Sequence, residues 1–79
     1  AEKPLLTAGA YRHIAAACHA DHAVFYRGTK GLPHVEFTYG DAAKQVGDEG
    51  SPIFKCMGAN LQHYRYDFFS FKADPPVAE

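Results

Sequence analysis

AYRHIAAACHA, residues 10–20, decides the fold. At helical spacing Ile14, Ala17 and Cys18 fall on one face, and the run holds neither Gly nor Pro. Thr7 is placed to cap its start. Asp21 would stand in the middle of the apolar stripe if the helix went on. The helix is therefore expected to end near Ala20, with Asp21 opening a new element. Read as a strand, the same stretch gives an all-β, two-sheet scaffold pinned by one disulfide. Read as a helix, it gives an α+β domain, one N-terminal helix packed on an antiparallel sheet.

The sequence after it is β-like. HAVFYR (22–27) is rich in β-branched and aromatic residues, and GTKGLP (28–33) is a loop by composition. HVEFTY (34–39) alternates, with Val35, Phe37 and Tyr39 expected on one face and His34, Glu36 and Thr38 on the other. The two runs predict a hairpin. Residues 40–51 read as a polar loop with one helical turn at 42–46. PIFKCM (52–57) reads as a short strand, MGAN (57–60) as a turn, and LQHYRYDFFSFK (61–72) as the longest strand. In that last run Tyr64, Tyr66 and Phe68 alternate with Arg65, Asp67 and Phe69. Residues 1–9 are expected to be a lead-in and 73–79 an extended, exposed tail. The sum is a single domain over 1–79 with one helix and about four strands.

A chain of 79 residues has a thin core, so a covalent staple would matter. Cys18 and Cys56 are expected to supply it, closing a loop of roughly forty residues for about 3–4 kcal/mol. The element reading makes this a staple from helix to sheet. The rival is zinc, with Cys18 and His22 one helical turn apart, His19 beside them, and Cys56 with His63 as a looser second pair. Two free buried thiols are the third reading; the disulfide is the better fit to a small secreted domain, and no metal or cofactor is expected. The chain begins at Ala1 without Met, as leader cleavage leaves it, which strengthens the expectation of secretion. No apolar run is long enough for a membrane span. The net charge of −1 offers no broad basic surface for nucleic acid, so any RNA contact would have to be local.

Gly31-Leu32-Pro33-His34 opening one strand, Pro52-Ile53 in the next, and Arg65-Tyr66-Asp67-Phe68 in a third form a recognisable order. It resembles the small guanyl-specific ribonucleases secreted by fungi. It is also similar to the ribonuclease-like effectors that powdery mildews secrete into plants. The resemblance implies a catalytic role for His34 and a phosphate-steadying role for Arg65. The family's general base stands two residues before the Pro-Ile pair. Here that place holds Gly50, with Glu49 one position early, and a one-residue slip along a strand points a side chain to the other face. No His follows Phe71 to protonate the leaving group, and His63 precedes Arg65. Cleavage by 2′-hydroxyl attack needs a base, an acid and a cation. An active enzyme would have to draw them from His34, Glu36, Glu49, His63 and Arg65.

The incomplete set points instead to a secreted, non-catalytic effector with a ribonuclease-like core. Such a protein would bind a host protein or RNA through His34, Arg65, Tyr64 and Tyr66. An active secreted ribonuclease is one alternative, and a small disulfide-pinned β-rich toxin or effector is the other. Each residue also has a plain reading: His34 a solvated strand end, and Glu36 and Glu49 exposed. Arg65 would be paired with Asp67 or Glu36, the tyrosines would be sheet packing, and His19 and His22 would lie on the surface.

Overall fold

The computed structural model describes residues 2–29, 31–41, 44, 46–47, 50–65 and 69–74. The stretch that decides the fold is helical. Helix α1 runs over Ala8–Ala17, and Thr7 caps it, its hydroxyl accepting from the Ala10 amide at 3.2 Å. The all-β alternative is therefore set aside. Tyr11, Ile14 and Ala15 turn inward at helical spacing, with Cys18 one turn on. Ala17, expected on that face, is exposed.

The helix stops at Ala17, short of the expected Ala20. His19 takes the left-handed conformation at φ 62, and its amide donates to Ala16 O at 3.0 Å. The Ala20 amide folds back onto Ala15 O at 2.9 Å. This pair of bonds is a Schellman stop, with a His in the place usually held by Gly.

Strands β1 (His22–Arg27) and β2 (His34–Tyr39) form the expected antiparallel hairpin. A third strand, β3 (Phe69–Asp74), pairs antiparallel with the other side of β1, giving the order β2-β1-β3. The hairpin contains a bulge: Phe25 pairs with Phe37 but Tyr26 pairs with Val35, which leaves Glu36 as the extra residue. The alternation expected along β2 is broken there. Phe37 and Tyr39 turn to the core, while Val35 joins Tyr26 on the opposite face.

The largest correction concerns residues 52–61. They form a second helix, α2 (Pro52–Leu61), where a strand and a turn were expected. Ser51 caps it, accepting from the Phe54 amide at 3.0 Å, and Pro52 occupies the first turn, where its missing N–H costs nothing. Met57 and Leu61 are buried four residues apart, with Ile53 packed against the core one turn earlier. The long strand expected over 61–72 is divided accordingly. Leu61 ends α2, Gln62 to Tyr64 turn the chain, and β3 begins at Phe69. Among the described residues the sheet has three strands rather than four.

Neither end behaves wholly as expected. Leu6 is buried, and Leu5 pairs in parallel with Arg65, so the lead-in is tied into the fold. Ala73 and Asp74 belong to β3 rather than to a tail, and 75–79 lie outside the described residues, as does most of the helical turn expected at 42–46.

Both helices cover one face of the sheet. Tyr11 packs on Phe25 and Phe37 with ring centroids 5.5 and 5.9 Å away, and Phe54 of α2 stacks on Phe71 of β3 at 4.3 Å. Tyr11 is fully buried, and its hydroxyl has no hydrogen-bond partner among the described residues. Burial, with a smaller push from Tyr26, raises its pKa well above the ordinary phenol range. The expected disulfide joins Cys18 to Cys56, Cα atoms 5.8 Å apart. Since Cys56 lies on α2, the staple runs from helix to helix, not from helix to sheet.

Candidate functional site

The residues singled out by the ribonuclease comparison divide into separate groups. His34 opens β2, and its Nε2 lies 2.8 Å from Glu36 Oε2, with the imidazole 63% exposed. The two stand two residues apart on one edge strand, so neither has to leave it to reach the other. Among the described residues Arg65 meets Glu2 rather than Glu36, Nη1 to Oε2 at 3.6 Å, while its amide donates to Pro4 O. No described hydrogen bond or ion pair joins His34 to Arg65. His63 is exposed in the turn after α2, and Tyr64 packs against the core. Glu49, Tyr66 and Asp67 lie outside the described residues. Pro52 and Ile53 open a helix, so the segment compared with the base-bearing strand is not a strand here.

Arg27 stands outside every motif of the sequence. It pairs with His34 across the hairpin, and its Nε is buried with no hydrogen-bond partner among the described residues. The signal was available: Arg27 and His34 flank the loop 28–33, so closing the hairpin sets them opposite each other.

The zinc arrangement has no thiolates to offer, since both sulfurs are bonded to each other. His22 was expected on the surface and is 6% exposed. Its Nε2 lies 2.8 Å from Asp74 Oδ2 and its Nδ1 3.3 Å from Asp21 Oδ2. Lys44 Nζ closes on the same Asp21 oxygen at 3.2 Å. A neutral imidazole can donate to one of these carboxylates, and only an imidazolium can donate to both. The Lys44 ammonium, and then His22, hold the Asp21 carboxyl below the usual carboxylate range. A lowered folded pKa stabilises the fold above the unfolded value, and the effect is lost as pH falls through the lowered one.

This node fastens the segment after β2 across the end of the sheet. Gly40 sits at φ 74, and a Cβ there would run into Asp21 O and His22. A Cβ added to Gly47 would likewise run into Asp74. Asp41, Lys44 and Val46 of that segment wall one side of an open groove of about 500 Å³ on the face that the helices leave bare. Val24 and Tyr26 of β1 and Val35 of β2 form its floor, and Lys44 and Lys72 stand at its rim. The volume falls in the range of small-ligand and side-chain pockets.

No family model, curated protein or solved structure matches the chain. Among the described residues, no helix is long and apolar enough to cross a membrane, and no group of three or more His, Cys, Asp or Glu is arranged to hold a metal ion.

Proposed function

We propose that this protein is a secreted, effector-type binding module, without catalysis, that engages a host protein through the bare face of its sheet. The groove over Val24, Tyr26 and Val35 carries this reading, because it offers apolar floor and charged rim together in an open site. The disulfide supports an oxidising compartment. His34 is engaged with Glu36 and Arg65 with Glu2, with no described contact between the two pairs, which favours binding over cleavage.

A photo-crosslinking residue placed at Tyr26 is expected to trap a protein in host extract, and one placed at Arg65 is not. Equal trapping at the two positions, or none at Tyr26, would count against the bare face. Trapped RNA at Tyr26 would replace the protein partner with a nucleic acid.

A secreted ribonuclease is the second reading, favoured by the His34–Glu36 pair facing Arg27. It requires that pure protein cut single-stranded RNA and that His34→Ala abolish the cutting. The binding reading expects no cutting by either protein.

A further inference from the structure

We infer that the groove reads a carboxylate lying next to an apolar side chain on the partner, with Lys72 as the charge-reading residue. This rests on the proposed use of the bare face. Lys72 pairs with Val24 in the β1–β3 ladder, so both side chains stand on that face. Lys44, on the walling segment, is already engaged with Asp21 at 3.2 Å. Among the described residues no carboxylate comes within ion-pair distance of Lys72.

The chemistry of the occupant follows from what covering the groove would do. A wholly apolar occupant would take the Lys72 ammonium out of water with nothing to replace its hydration. A cationic one would face the Lys72 ammonium. An occupant with one carboxylate compensates Lys72 while its apolar part rests on Val24, Tyr26 and Val35. Asp41 also lines the groove, on the same segment as Lys44.

The probes are two blocked dipeptides, acetyl-Leu-Glu-N-methylamide and acetyl-Leu-Gln-N-methylamide, titrated into isotope-labelled protein by NMR. The acidic peptide is expected to shift the amides of Val24, Tyr26, Val35 and Lys72. It should bind about two- to fivefold more tightly than the neutral one, as for an exposed ion pair. Added salt should narrow that difference. Lys72→Ala should erase the preference and Lys72→Arg should keep it, with the remaining amide spectrum unchanged in both. Equal binding of the two peptides at the groove would overturn the charge reading and leave the bare face standing. Shifts confined to other surfaces, or none from either peptide, would overturn the inference outright. Failure of the Tyr26 crosslink would instead remove the reading on which it rests.

Discussion

Replacing Cys18 and Cys56 together by Ala is expected to lower stability by about 3–4 kcal/mol. The bond closes a separation of 38 residues, and without it the unfolded chain regains that freedom. Domains of this size hold roughly 4–12 kcal/mol in all, so the loss is a large part of the whole. Its local effect should be shared between two elements. Each helix is 10 residues long, too short to persist alone in water, and the bond holds the end of α1 against α2. Asn60 reinforces the α2 side by donating to Cys56 O at 2.9 Å. Urea unfolding should show the lower midpoint, and hydrogen exchange should show both helices losing protection together. Loss confined to α1 would contradict a helix-to-helix staple, and an unchanged midpoint would contradict the staple altogether.

Phe25→Ala is expected to cost about 3–5 kcal/mol, as large aromatic truncations in a closed core do. Phe25 is fully buried on the central strand, 5.4 Å from the Phe37 ring and 5.5 Å from Tyr11. It also pairs across the sheet with Phe71, which stacks on Phe54 of α2. Its ring thus packs on α1 and β2, beside the β3 residue that carries the contact to α2. Val35→Ala is the matched comparison: Val35 is 53% exposed on the bare face, and its truncation should stay within about 0.5 kcal/mol. Similar unfolding midpoints for the two variants would show that the core lies elsewhere.

The parts of the fold legible in the sequence are those where a local signal matched a tertiary need. Thr7 before an alanine-rich run announced α1, and the clustered Gly and Pro of 28–33 announced the hairpin. The cysteine pair was legible for its chemistry, though not for the elements it joins. Helix α2 was missed because PIFKCM is short enough to suit either period. The deciding signals lay at its borders: Ser51-Pro52 as cap and first turn, and Leu61 continuing the spacing of Ile53 and Met57. Taking Leu61 into a strand then moved that strand's start from Phe69 back into the helix.

The candidate site was less legible still. The face on which Val35 lies depends on a bulge that alternation does not foretell. The groove is a shape made where Asp41, Lys44 and Val46 pass the sheet end. Its anchor, His22, looked like a surface residue until Asp74 arrived from the far end of the chain. Arg27, opposite His34, needed only the hairpin's own geometry and was within reach of the sequence.

Tyr11 gives the molecule an optical gauge of its own integrity. An exposed phenol surrenders its proton near pH 10, and with it changes its ultraviolet absorption. Tyr11 keeps its proton beyond that point because the ionised oxygen would be buried, with no donor beside it among the described residues. The last phenolate signal to appear in an alkaline titration is therefore a signal of the core coming open, read without any label attached.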